Sequence, residues 1–146
     1  MYKRILLTLD RSALAEQALP HAVTLARACQ AELELVSVVP VLEREAMFDA
    51  GGNVDWDAQV RDFEEYLAGV ASRIQEAGLS VRSEVRRGDI AEEILRHADE
   101  QQIDLIVMST HGRSGLGRWV YGSIADRVLR FSPVPVLLIR TAEEQA

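Results

Sequence analysis

The 146-residue chain contains one cysteine and one lysine. Cys29 alone cannot close an internal disulfide. Lys3 precedes the first apolar run, whereas a Walker-type phosphate loop needs a lysine after its glycines, so that mechanism is excluded. Schiff-base chemistry loses its usual nucleophile for the same reason. Aromatic residues are only 5% of the chain, which leaves the core to Val, Leu, Ile and Ala. No apolar run approaches the roughly 20 residues that cross a bilayer, and no charged-then-apolar leader opens the chain. Positive charge is also short: 16 Lys+Arg against 23 Asp+Glu leave a net charge of −7. General affinity for nucleic acid or an anionic membrane needs clustered cations, so neither partner is expected. The expectation is one soluble, cytoplasmic domain over residues 1–146.

What is present is a globular composition, 48% apolar and 27% charged, arranged in two alternating periods. Ile5 to Leu9 is a nearly unbroken apolar run stopped by Asp10, which predicts a strand buried on both faces. Ser12 can cap a helix carrying Leu14, Ala18, Ala22, Leu25 and Cys29, with a bend at Pro20. Leu33 to Val39 predicts the second strand. Residues 41–55 have no clear period and read as a loop or short helix. Phe63, Leu67, Val70 and Ile74 mark a long amphipathic helix closed by Gly78. Val81 and Val85 flank Ser83 in a half-exposed third strand, and Asp89 with Glu92 forms a capping-box pattern opening the next helix. Ile103 to Met108 predicts a fourth strand, Ile124, Val128 and Leu129 a last helix, and Val134 to Ile139 a fifth strand.

Strands alternating with helices imply right-handed crossovers and a parallel sheet covered on both faces. The predicted fold is therefore α/β, a single-domain, doubly wound, five-stranded parallel sheet. The first and fourth strands are the most continuously apolar and belong at the centre, in the order 3-2-1-4-5. Such a sheet takes its ligand where the strand order reverses, at the carboxyl ends. The crevice is expected between Asp10 and Met108.

A glycine-rich loop follows the fourth strand, with three glycines (112, 115 and 117), an arginine pair (113 and 118), and then Gly122-Ser123 opening the last helix. Glycines let backbone N–H groups approach an anion, and a helix start adds unsatisfied donors and a favourable dipole. From Ser109 to Phe131 there are four arginines against one aspartate, a local inversion of the chain's sign. The same glycines are compatible with a plain turn, but their density after a central strand favours phosphate binding.

Ser109-x2-Gly112-x9-Gly122-Ser123 resembles the G-x2-G-x9-G-[S/T] signature of the ATP-binding branch of the universal stress protein family. The likeness extends over essentially the whole chain, including the first strand ending in Asp10, the Gly88 turn and Pro133-Val134-Pro135-Val136. The resemblance implies an adenine-nucleotide α-hydrolase-like sheet with ATP across the ends of strands one and four, and Mg carried on its phosphates. Thr8, Leu9 and Asp10 would line the nucleoside side, with Asp10 near the ribose or metal-bound phosphates. Val38 would pack on adenine, and Met108 and Ser109 would contact the nucleoside. Gly112, Arg113, Gly122, Ser123 and Ile124 would hold the phosphates. Ser109 stands where the signature has its first glycine, and Thr8 where the family often has proline. A hydroxyl at 109 either crowds the ribose or hydrogen-bonds it.

Other constellations fail. A phospho-accepting receiver domain needs an acidic pair, a second aspartate after strand three and a lysine after strand five, but Arg86-Arg87 and Arg140 stand there. His21, His97 and His111 lack metal-ligand spacing and read as two ordinary helix residues and a loop stabiliser. No G-x-S-x-G elbow surrounds Ser109, Ser114 or Ser123, and no general base flanks the expected γ-phosphate, so any turnover should be slow. Trp119 is expected to pack. The expected function is an ATP-binding regulatory or stress-response protein that acts as a nucleotide-dependent switch on unknown protein partners. The alternatives are a slow ATP hydrolase or nucleotidyl transferase, and a nucleotide-independent dimeric interaction protein. A homodimer is expected through the fifth strand (Val134, Val136, Leu138), whose apolar edge needs cover.

Overall fold

The computed structural model describes residues 1–41, 55–111 and 122–141. The chain runs β1 (Arg4–Thr8), α1 (Ala13–Glu16), α2 (Leu19–Cys29), β2 (Glu32–Pro40), α3 (Trp56–Glu76), β3 (Val81–Gly88), α4 (Ile90–Glu100), β4 (Leu105–Ser109), α5 (Ser123–Phe131) and β5 (Val136–Ile139). All pairings in the sheet are parallel and its order is β3-β2-β1-β4-β5, the order expected from the apolar runs. β1 and β4 lie at its centre because they can bury both faces: Ile5, Leu6 and Leu7, like Ile106 and Val107, are fully buried.

Strand alternation divides the core into two layers. Ile5, Leu7, Leu33, Leu35 and Val107 pack with Ala18, Ala22 and Ala26 of the α1–α2 region and with Leu67, Val70 and Ile74 of α3. Leu6, Val36, Val38, Ile106 and Met108 pack on the other face with Ala91, Ile94 and Ala98 of α4 and with Ala125 and Val128 of α5. Each layer is sealed by helices, three of which are capped by side chains. Ser12 Oγ accepts from Ala15 N at 3.0 Å, Asp55 Oδ1 from Ala58 N at 3.0 Å, and Asp89 Oδ1 from Glu92 N at 3.0 Å. Gly78 follows α3 at φ +88°, a left-handed conformation that glycine adopts without strain.

Two elements differ from expectation. The first helix is two helices rather than one bent helix. Pro20 sits in the opening turn of α2, where its missing N–H is needed by no intrahelical bond. β5 begins at Val136, so Val134 lies outside the strand. Ser132 Oγ donates to Val134 O at 2.7 Å and accepts from Val134 N at 3.2 Å, and that turn consumes the backbone groups a strand residue would pair. The expected loop at 41–55 falls mostly on residues 42–54, outside the described ones, as do Gly112, Arg113, Arg118 and Trp119. Among the described residues, no helix is long and apolar enough to cross a membrane.

Candidate functional site

The carboxyl ends of β1, β2 and β4 open into a cavity of about 290 Å³, a volume near the lower end for small-ligand sites. It lies where the strand order reverses. From β1 come Thr8, Leu9 and Asp10, from β2 Val38, from β4 Met108 and Ser109, and beyond them Gly122, Ser123 and Ile124. The structure thus gathers nine of the eleven residues singled out from the sequence around one space. Gly112 and Arg113 lie outside the described residues.

The cavity has two chemically distinct sides. One is apolar: Val36, Val38 and Pro40 of β2 face Ile90 and Ile94 of α4, with Met108 and Phe63 completing the wall. The other is the start of α5. Asp55, Asp89 and Ser12 cap their helices, but among the described residues no side chain caps α5 at Gly122. A helix start presents unsatisfied N–H groups and the positive end of the dipole. An anion suits that end.

Gly122, on the cavity wall, also makes a backbone contact of its own. Its N–H donates to Thr110 O at 2.9 Å, so this amide is already used. A Cβ at Gly122 would stand 3.1 Å from the same oxygen. The glycine lets the chain come close to Thr110 at the end of β4, and the remaining first-turn amides of α5 are the candidate anion donors.

Asp10 follows β1 in a tight turn. Its Oδ1 accepts from Ser12 N at 3.0 Å and also from the Ser12 hydroxyl, while Ser12 caps α1. Arg11 between them takes φ +72°, and its guanidinium lies 5.4 Å from the centre of the Phe63 ring. Beneath this turn, Ser37 Oγ donates to Leu9 O at 2.7 Å. The Asp10 carboxylate is thus held at the cavity wall by its own turn rather than by capping α1 directly. Ser109 is 8% exposed, and its hydroxyl donates to His111 O at 2.7 Å. Thr110, beside it, turns toward β5, where its Oγ1 accepts from Thr141 N at 3.2 Å.

Several wall residues were missed in the sequence. Val36 and Pro40 share a face with Val38 by strand alternation, and Ile90 and Ile94 share one side of α4 by helical spacing. Both signals were available. Nothing in the sequence indicated that Phe63, alone of the α3 stripe, would reach this end of the sheet.

A second polar assembly lies under α4, away from the cavity. His97 is 2% exposed, with Nε2 2.7 Å from Glu34 Oε2 of β2 and Nδ1 2.7 Å from Glu84 Oε2 of β3. Arg86 Nε donates to Glu93 Oε2 at 2.9 Å, and its Nη1 to Glu100 Oε2 at 3.0 Å. Burial works against the Arg86 charge, but its hydrogen bonds to Glu100 and Glu93 outweigh it and raise the guanidinium above its ordinary pKa. His97 is therefore a tertiary linchpin and not an ordinary helix residue. Among the described residues, no group of three or more His, Cys, Asp or Glu could hold a metal ion.

The family model described as "Universal stress protein family" matches residues 1–140. The chain is 31% identical over 147 residues to the universal stress protein MJ0531 of Methanocaldococcus jannaschii, covering 99% of this chain and 86% of that one. It is 29% identical to the universal stress protein YxiE of Bacillus subtilis, covering 96% and 100%. Among solved structures, MJ0577 of Methanocaldococcus jannaschii superposes with a TM-score of 0.87 at 25% identity, covering 99% of both chains.

Proposed function

Since the chain belongs to the universal stress protein family, we propose that it is an ATP-binding regulatory protein of the stress response whose nucleotide occupancy acts as a switch for other proteins. The observation that carries this reading is the two-sided cavity at the switch point, apolar at one end and bordered at the other by an uncapped helix start. A base needs the first side and a phosphate chain the second. Val38 and Met108 would pack on adenine, Thr8, Leu9 and Asp10 would border the nucleoside, and Ser123 and Ile124 would meet phosphate. The family resemblance adds Gly112 to the phosphate side, and the charge of Arg113 in the same stretch of sequence suits it. Members of this fold that bind adenine nucleotides include a universal stress protein solved with cAMP and one from Archaeoglobus fulgidus solved with dAMP.

The residues present fit Mg as well as nucleotide: Asp10 is the one carboxylate among the described wall residues, and Mg²⁺ prefers to ride on phosphates with one or two protein carboxylates. The ion would neutralise phosphate charge. Native mass spectrometry of freshly purified protein, followed by calorimetric titration with Mg-ATP, tests the reading. One adenine nucleotide per chain is expected. A chain that neither carries nor takes up ATP at millimolar concentration would refute it. Turnover under saturating Mg-ATP separates a switch from a slow hydrolase.

Pairing of two copies through β5 is supported by a contrast between the sheet edges. The β3 edge carries Arg82, Glu84, Arg86 and Arg87, charges that discourage strand addition. The β5 edge is Val136-Leu137-Leu138-Ile139, and Phe131, on the helix leading into it, is 69% exposed. Val136 and Leu138 also pack inward on the α4–α5 layer, so lysine there would damage the monomer. The sedimentation of the unmodified protein is the cleaner test: a dimer at micromolar concentration is expected, and a monomer overturns the pairing.

A further inference from the structure

Leu9 is 3% exposed, so its carbonyl needs a partner inside the protein. A parallel ladder offers one by register. Leu9 N donates to Val36 O at 2.9 Å, and the next rung would run from Val38 N to Leu9 O. That rung is missing, because the pairing of β1 with β2 ends at Thr8 and Val36. The Ser37 hydroxyl takes its place, donating to Leu9 O at 2.7 Å. Ser37 is 1% exposed and does not itself line the cavity.

The exchange of one donor for another has a direction. By strand alternation Ser37 shares a face of β2 with Leu33 and Leu35, the face covered by α3. A hydroxyl on that face draws the Leu9 carbonyl out of the sheet plane and off the line of the Val38 N–H. Backbone groups along β2 also alternate in the neighbour they address. Glu32 N bonds Lys3 O and Val36 O bonds Leu9 N on the β1 side, whereas Leu33 N bonds Ser80 O on the β3 side. Val38 has the parity of Val36, so its N–H faces the β1 side, past the point where pairing with β1 has ended. Val38 borders the cavity, as do Leu9 and Asp10. The missing rung thus leaves a backbone donor at the apolar side of the site.

We propose that Ser37 is a positioning residue: by holding the Leu9 carbonyl it keeps the Val38 N–H out of the sheet ladder and available to an acceptor atom of the bound nucleotide. The inference rests on the nucleotide reading of the site. Ser37 touches no ligand; it decides which of two donors satisfies one carbonyl. Without the hydroxyl, Leu9 O takes the register bond from Val38 N, β1 and β2 pair one rung further, and the donor is withdrawn. The protein folds in either arrangement, because the buried carbonyl is satisfied in both.

The experiment compares the unmodified full chain with Ser37→Ala and Ser37→Thr. Calorimetric titration with Mg-ATP gives affinity, and NMR-resolved amide hydrogen exchange of the ligand-free protein gives the state of Val38. In Ser37→Ala the Val38 amide should exchange about tenfold more slowly, as a newly paired ladder amide does. Mg-ATP should bind that variant roughly three- to tenfold more weakly, the worth of one net hydrogen bond. Ser37→Thr keeps the donor and should restore both values. A hydroxyl that only fills a buried carbonyl predicts the opposite for Ser37→Ala, faster exchange along the β1–β2 ladder with unchanged ATP affinity, and either result overturns the proposal. Weaker ATP binding with unaltered Val38 exchange overturns it too, since the loss would then arise elsewhere. So does a threonine variant as weak as the alanine one, or a Val38 amide in the unmodified protein as slow as the paired amide of Val36. These outcomes leave the nucleotide reading standing. An unmodified chain that takes up no Mg-ATP at millimolar concentration removes that reading itself, and this proposal with it.

Discussion

Helix α4 has two ends that do opposite things. At its start, Ile90 and Ile94 form part of an open apolar wall. At its far end, His97 and Glu100 are bound into a closed set of charges with Glu34, Glu84 and Arg86. The closed end saturates nearly every polar atom it holds; among the described residues Glu34 Oε1 is the buried exception. The open end leaves an apolar surface facing the cavity. The lesson is a division of labour along one helix. Polar groups paired in the interior hold α4 to β2 and β3, and the wall one turn away inherits its position from that anchorage.

The largest effect that sharpens this contrast is expected at the closed end. Removing the buried His97 ring leaves the Glu34 side chain buried without its 2.7 Å partner, and an unsatisfied buried polar group costs about 1–3 kcal/mol, more if charged. His97→Ala should therefore lower the unfolding free energy obtained from urea titration by an amount in that range or above. The double variant Glu34→Leu/His97→Leu should recover much of the loss, since well-packed apolar replacements of such pairs are often neutral. A single variant as stable as the unmodified protein would break the comparison.

At the open side, stability and binding should move in opposite directions. Ser123 is exposed at the first position of α5. Ser123→Asp places a negative charge at a helix start, worth about 0.3–1 kcal/mol of stabilisation. The same carboxylate repels phosphate, so Mg-ATP affinity should fall by tenfold or more, roughly 1.4 kcal/mol or above. Melting temperature and calorimetry on one sample decide it. Unchanged affinity would remove α5 from the phosphate side.

The smallest effect belongs to the cap that joins the two ends. Asp89 starts α4, and its carboxyl is held below its ordinary pKa first by the Glu92 amide; burial opposes this, and Arg127 adds to the lowering. A carboxyl lowered by folding stabilises the protein above its unfolded value, and that contribution is lost as pH falls through the folded value. Asp89→Ala should cost about 0.5–2 kcal/mol at neutral pH, near the lower end because the side chain is 45% exposed. The gap between variant and unmodified protein should narrow as pH falls through the folded-state value, which lies below the ordinary aspartate range. A gap that persists there would mean that the charge contributes nothing.

What the sequence by itself determined is whatever depends on local chemistry and period. Central strands were legible because Ile5-Leu6-Leu7 and Ile106-Val107 are apolar without alternation, and only a strand covered on both sides tolerates that. Helix starts at Ser12 and Asp89 were legible because a cap acts within three residues. The strand ends carrying Asp10 and Ser109 followed from the same runs. Pro20 was misread because one residue can bend a helix or open the next, and the choice depends on how the α1–α2 region packs under β1. Only the tertiary structure brought His97 to Glu34, 63 positions away, and to Glu84 on a third element. Only it turned the Ser109 hydroxyl toward His111 and set Gly122 against Thr110. No local period encodes those contacts, because each is fixed by how separately formed elements dock.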